Sequence, residues 1–302
     1  MNAPVRAIAL ALAIFAMACA QAVAVSPLDD AIAGYKYLRA ERHGAILIVR
    51  FYNPPTNLLS AAMTAEIRDL VHRADADTQT RVVIFTGGVP DYFIQHYDTG
   101  EFTKAPPTTN GAPPAPQYAI NATDRTFLEL EELSKPTIAA INGRAQGGGV
   151  ELALACDFRI ITDPGEIGFG EVTLGVLPGA GGTVRLPRLI GMARAKQIIM
   201  LGRDIDADTA VRYGLAIKAV PPDQLMSESM QLAERLAALS PAALKLIKRV
   251  IDASSDMPLE EALKLEDYSF DVLVRTDDAQ RLTRRYLEQN QRWGASQEGL
   301  PP

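Results

Sequence analysis

The chain has 302 residues, 48% hydrophobic and 22% charged, so it can bury a full core as one large domain or two small ones. Its formal charge is −6 and no basic run carries interleaved aromatics, which excludes nucleic acid or an anionic membrane as the main partner. The cysteines are Cys19 and Cys156; the first falls in an N-terminal leader and the second in an apolar run, so the fold rests on its core and not on disulfides.

Met1–Arg6 carries one positive charge and Ala7–Ala18 is apolar throughout. Small residues at Ala18-Cys19-Ala20, or at Ala22-Val23-Ala24, suit a signal peptidase. Residues 1–20 are therefore expected to be a cleaved signal peptide and the protein to be periplasmic or secreted. The competing expectation is a membrane anchor over Ala7–Val25, which approaches the roughly 20 apolar residues of a span only by including Gln21. Cleavage removes Arg6 and no acid, moving the charge from −6 to −7, and leaves Cys156 as a buried structural thiol.

Ala45–Tyr52 reads as a buried strand ended by Asn53-Pro54-Pro55, and Ala61–Ala74 as a helix capped by Ser60. Arg81–Thr86 is a β-branched strand, and the proline-rich 105–116 segment a loop. Tyr118–Leu133 reads as a helix, Pro136–Asn142 as a strand, Gly148–Ala155 as a glycine-opened helix and Asp157–Thr162 as a strand. From Gly181 onward the pattern is mostly helical: Gly182–Ile190, Ala193–Met200, Ala207–Tyr213, Pro222–Leu239, Pro241–Ala253, Leu259–Val274 and Asp277–Arg292. Strands alternating with helices and then helices alone predict an α/β core over 35–220 and a helical C-terminal region over 221–302.

The chemistry concentrates in residues 146–183. Gln146-Gly147-Gly148-Gly149-Val150-Glu151-Leu152 places three glycines at a helix start, where bare backbone N–H groups can grip a developing oxyanion. Glu151 lies one turn into that helix and Glu171 follows in Phe169-Gly170-Glu171, supplying two carboxylates for acid/base work. Taken alone, Glu151 could be a helix N-terminal acid offsetting the macrodipole, and Glu171 a surface loop acid. The turn Leu177-Pro178-Gly179-Ala180-Gly181-Gly182-Thr183 follows. Gly179-Ala180-Gly181 lacks the third glycine of a dinucleotide loop, and no Gly-Lys-Ser/Thr exists for a phosphate loop.

From about Ile46 to Trp293 these pieces resemble the enoyl-CoA hydratase/isomerase (crotonase) superfamily. The resemblance rests on Asn53-Pro54-Pro55-Thr56-Asn57-Leu58-Leu59, Val82–Gly88 with Phe93–Asp98, Ala140–Glu151, Cys156–Ile160, Leu177–Thr183 and Ser240-Pro241-Ala242-Ala243. It implies a spiral of ββα units, an all-helical C-terminal trimerisation region, and a homotrimer or dimer of trimers. It also implies an oxyanion hole from the backbone N–H groups of Tyr97 and Gly148. Members with both acids are commonly hydratases, with Glu151 activating water and Glu171 handling the α-carbon proton. The acyl substrate is then a CoA thioester, with no metal and no further cofactor.

Departures cluster in the first loop, where Gln95-His96-Tyr97-Asp98 replaces the usual Ala-Gly-Ala-Asp. Gln95, His96 and Asp98 become candidate substrate contacts, and the Tyr97 ring is expected in the acyl pocket. Gln289 stands where the family often has a lysine for CoA phosphate, and the leader implies export away from cytosolic CoA. Two further readings therefore stay open: an exported CoA-independent hydrolase of β-diketone C–C bonds using His96, and a non-catalytic binding protein on the same fold. A lone loop histidine can equally be solvated and idle, as His43 and His72 look.

Overall fold

A computed structural model describes residues 27–104 and 119–297. The signal-peptide and anchor expectations, the cleavage site and the proline-rich 105–116 segment lie outside the described residues. No helix among the described residues is long and apolar enough to cross a membrane.

The described chain opens with a short helix, α1 (Pro27–Ile32), and a hairpin, β1 (Leu38–His43) and β2 (Ile46–Phe51). It continues through α2 (Ala61–Ala76), β3 (Val82–Gly87), β4 (Asp91–Ile94), a 3₁₀ turn (Thr99–Lys104), α3 (Ala122–Glu131), β5 (Thr137–Ile141), β6 (Gly143–Gln146) and α4 (Gly148–Leu154). Then come β7 (Phe158–Thr162), β8 (Glu166–Gly168), a second 3₁₀ turn (Glu171–Leu174), α5 (Gly182–Ile190), α6 (Met192–Leu201), β9 (Asp204–Asp206), α7 (Ala207–Arg212) and β10 (Lys218–Val220). The remainder is helical after a 3₁₀ turn at Pro222–Gln224: α8 (Leu225–Ala237), α9 (Pro241–Ser254), α10 (Leu259–Val274) and α11 (Asp277–Gln297).

Among the described residues the larger sheet runs β1-β2-β3-β5-β7-β10 and the smaller β4-β6-β8-β9. All pairs are parallel except β1 with β2 and β8 with β9. Each repeat therefore sends one strand to the larger sheet and the next to the smaller before its helix: β3 and β4, then β5 and β6, then β7 and β8. This is the expected spiral of ββα units.

The strands of the larger sheet read as continuous apolar runs because both faces are covered, as parallel strands require. Leu47, Val49, Phe51, Val83, Phe85, Ala139 and Ile141 pack on one face with Met63, Ile67 and Leu70 of α2. Ile46, Ile48, Val82, Ile84, Ile138 and Ile160 face the other way, against Leu225, Ala233 and Leu236 of α8. Phe51 stacks on Phe85 at 5.9 Å and meets Phe93 of β4 edge-on at 5.3 Å, joining the two sheets. Each such ring contributes about 1.5–3 kcal/mol by burial.

Ser60 caps α2 by accepting from the Met63 N–H at 3.2 Å, as expected. Cys156 is buried, as its apolar neighbours predict, and burial pushes its thiol up to about 12. Other expectations need correction. The Tyr118–Leu133 helix begins only at Ala122, because the Asn121 side chain accepts from the Asp124 N–H and caps it there. The helical reading beyond Gly181 omits β9 and β10, three residues each and too short to show a period.

Candidate active site

α4 starts at Gly148, preceded by Gly147 at φ 48°. That positive φ favours glycine, and a second constraint agrees. A Cβ on Gly147 would lie 2.3 Å from Glu171 Oε1, so the Glu171 carboxylate rests directly over this backbone. The Gly147 N–H is spent on Gly168 O at 3.0 Å, which ties α4 to β8. Gly148, at the first helical position, has no intrahelical acceptor for its N–H.

The opposing donor comes from the loop after β4. Leu59 N–H donates to His96 O at 2.9 Å, and Asp98 N–H donates to Leu59 O at 2.7 Å. In this parallel bridge between Leu59 and Tyr97, the N–H and C=O of Tyr97 point away from Leu59. They face the α4 side: a Cβ on Gly148 would lie 3.6 Å from Tyr97 N. The structure thus places the Tyr97 main chain against the start of α4 at Gly148. Asn57, fully buried at φ 57°, steadies this approach by donating to Phe93 O and accepting from the Asn53 N–H at 2.9 Å.

Glu151 is 3% exposed. Its Oε1 accepts from Ala180 N–H at 2.8 Å and Gly182 N–H at 2.9 Å. Burial pushes its pKa up to about 7; the two N–H bonds oppose this, and the charges of Glu171 and Asp124 add to it. Glu171 opens the second 3₁₀ turn, and its Oε2 is buried without a hydrogen-bond partner. Burial raises its pKa, opposed by its own backbone N–H and by the charge of His96. The two acids are therefore neighbours with different surroundings. Burial raises both acids; two N–H donors oppose it at Glu151, while at Glu171 one carboxylate oxygen has no partner. Their titration belongs to the pair. This suits one base and one acid close to neutral pH.

The first-loop candidates separate. His96 Nδ1 lies 2.6 Å from Tyr97 O; a carbonyl only accepts, so Nδ1 carries the proton and Nε2 is left as the basic nitrogen. When protonated, the His96 ring acts electrostatically on Glu171, lowering its pKa. Asp98 is used locally, its Oδ1 accepting from Gly100 N–H at 2.9 Å. The Gln95 N–H donates to Asn57 O at 3.2 Å. The Tyr97 ring lies along the first 3₁₀ turn, stacked on Phe102.

Sequence reasoning missed the groups that hold the Glu151-binding turn. Asn121 Nδ2 donates to Gly179 O at 2.8 Å and to Asp124 Oδ2 at 2.7 Å. Arg185 Nη1 donates to Ala180 O at 3.3 Å while pairing with Glu131 at 2.7 Å. Asp124, its pKa raised by burial, is a third carboxylate whose charge acts on Glu151. None carries a local motif; the asparagine-cap pattern at Asn121 was the one available signal. No group of three or more His, Cys, Asp or Glu among the described residues is placed to hold a metal.

Residues 41–296 match the family described as enoyl-CoA hydratase/isomerase. The chain belongs to this family. It is 34% identical over 249 residues to a short-chain-enoyl-CoA hydratase from Clostridium acetobutylicum, covering 82% of this chain and 93% of that one. It is 34% identical to a carnitinyl-CoA dehydratase from Citrobacter koseri, over 75% of this chain and 84% of that one. The solved structure of an enoyl-CoA hydratase from Bacillus anthracis superimposes with a TM-score of 0.76 at 33% identity, covering 84% and 97% of the two chains. The family's crotonase fold is the fold described above.

Proposed function

We propose that the protein is a hydro-lyase that adds water across the α,β double bond of an acyl-CoA thioester, or eliminates it. Glu151 and Glu171 act as the acid/base pair, and the Tyr97 and Gly148 N–H groups as the oxyanion hole. The observation that carries this reading is the pair of buried carboxylates with unlike surroundings at the glycine-opened start of α4, with Tyr97 N close to Gly148. The hydratase and dehydratase names of the relatives support it. In the hydration direction Glu151 takes a proton from water and the oxygen bonds to the β-carbon. The double-bond pair moves toward the thioester carbonyl, whose oxygen is held by the two N–H groups. The Glu171 proton then goes to the α-carbon as the carbonyl re-forms. Proton exchange between the acids restores the starting state. The test is loss of the conjugated enoyl-thioester absorbance when the protein meets crotonyl-CoA.

A second reading is favoured by the His96 ring, whose Nδ1 faces Tyr97 O at 2.6 Å, leaving Nε2 free as a base, and whose charge when protonated acts on Glu171. In a CoA-independent β-diketone hydrolase, His96 would work as base or donor, and His96→Ala should cost about 10²-fold or more. In a hydratase His96 is a bystander to the two acids, and the loss should stay below about tenfold. Protein inert toward crotonyl-CoA, with His96→Ala inactive toward a free diketone, would reverse the ranking.

The leader supports export, and the exposed apolar residues of α9 to α11 support assembly through that region. Ile251, Leu259, Tyr268, Phe270 and Tyr286 are each at least 63% exposed in the single chain, more than an isolated surface normally leaves uncovered. Protein purified from fractionated native cells should begin at Gln21 or close to Val25 and give the mass of a trimer or hexamer by light scattering. Full-length protein in the cytosol overturns export, and a monomer overturns the assembly.

A further inference from the structure

Three residues of the altered loop, Tyr97, Glu101 and Phe102, form a linked group that the acid/base chemistry does not use. The Tyr97 hydroxyl donates to Glu101 Oε2 at 2.6 Å. The Tyr97 ring lies parallel to Phe102, with centroids 5.6 Å apart and planes 1° apart. The Glu101 carboxylate faces the Ala61 N–H, at 3.4 Å from Oε1 and 3.3 Å from Oε2. Ala61 is the first residue of α2, where a helix presents unpaired N–H groups and a partial positive charge. Leu59, two residues earlier, is the backbone partner of Tyr97.

Tyr97 is thus held at two ends. Its neighbours' main chain bonds to Leu59 on either side, an arrangement that leaves the loop free to hinge about that line. Its phenol, several ångströms off the line, is tied through Glu101 to the segment that also carries Leu59. The closed circuit removes the hinge. Burial and the Glu101 carboxylate also raise the phenol's pKa, so it remains a donor through the neutral range.

We infer that Glu101 is a positioning residue for the oxyanion hole, bracing the Tyr97 side chain so that the Tyr97 N–H is held on the developing oxyanion. The inference rests on the hydro-lyase reading. A hole donor must sit within hydrogen-bond reach of the transition-state oxygen, and a tolerance of about 0.5 Å is typical for such groups. The loop's main-chain bonds to the neighbouring segment all go to Asn57 and Leu59, along one line, and such one-sided anchoring holds that tolerance poorly. Loss of the brace weakens a bond that is strongest in the transition state, so kcat falls while KM changes little.

The experiment is steady-state kinetics with crotonyl-CoA on Tyr97→Phe, Glu101→Leu, the double variant and Glu101→Gln. The single variants should each lose about tenfold in kcat, with KM within about threefold. The double variant should lose no more than the worse single one, because both remove the same link. Glu101→Gln, whose amide oxygen still accepts from the phenol, should restore most of the rate. Single variants with wild-type kcat overturn the brace, as does a double variant whose losses multiply or a glutamine variant as slow as the leucine one. If Glu101→Leu fails to fold, Tyr97→Phe decides, since it removes the phenol's hydrogen bonds and keeps the ring stack. If wild-type protein is inert toward crotonyl-CoA, the hydro-lyase reading fails, and the brace is then judged by hydrogen exchange over residues 95–102. Faster exchange by about tenfold in Tyr97→Phe supports it, and unchanged exchange overturns it.

Discussion

Glu151→Gln is expected to lower kcat for crotonyl-CoA hydration by about 10²–10⁴-fold, and Glu171→Gln by a similar factor, with ligand binding changed by less than about tenfold. Glutamine keeps the size of each side chain, and at position 151 its amide oxygen can still accept from the Ala180 and Gly182 N–H groups. What it lacks is the capacity to take or give a proton. The Glu151 pKa is raised from 4.5 to about 7 in the folded protein, so between those values the folded state holds a proton that the unfolded state has lost. Stability therefore falls as pH rises from about 4.5 to 7, and the ionised residue then costs at most about 3 kcal/mol. The uncharged glutamine carries no such cost, so the Tm advantage of Glu151→Gln over wild type should be larger at pH 8 than at pH 5. Wild-type turnover in both variants sinks the two-acid mechanism. A Tm difference that ignores pH sinks the account of Glu151 as a carboxylate that burial holds against ionisation.

Gly148→Pro should cost about 10²–10³-fold in kcat, the usual effect of losing one oxyanion donor. Proline is tolerated at the first position of a helix because the N–H it lacks has no intrahelical acceptor there. At Gly148 that otherwise spare N–H is the one assigned above to the oxyanion hole. Gly148→Ala is the control. Its added Cβ would meet Leu59 Cδ2 at 2.9 Å, the movable end of a side chain, and its N–H remains. Alanine should therefore retain most of the rate that proline loses, with circular dichroism and Tm confirming that both variants fold. Equal losses in the two variants would mean that the contact with Leu59, and not the missing donor, controls the rate.

The parts of this protein legible in its sequence are those whose cause is local. Three glycines before Glu151 leave helix N–H groups bare wherever the helix is placed, and Ser60 caps α2 by reaching three residues along the chain. The strands of the larger sheet are legible because burial on both faces leaves unbroken apolar runs. β1 was not, because Leu38-Arg39-Ala40-Glu41-Arg42-His43 is an edge strand whose charged residues meet water; Glu41 pairs with Arg50 across it at 2.7 Å. β4, β6, β8 and β9 have three or four residues each, too few for a period to declare itself. The same limit hid the support of the site. Glu151 finds its N–H donors at Ala180 and Gly182, Asn121 ties down Gly179, and Glu101 joins Tyr97 to the start of α2. The sequence by itself determined which groups could do acid/base chemistry and which backbone could carry an oxyanion. Only the tertiary structure decided their surroundings, because a carboxylate's proton affinity depends on burial, donors and neighbouring charge from segments that the chain path keeps far apart until it folds.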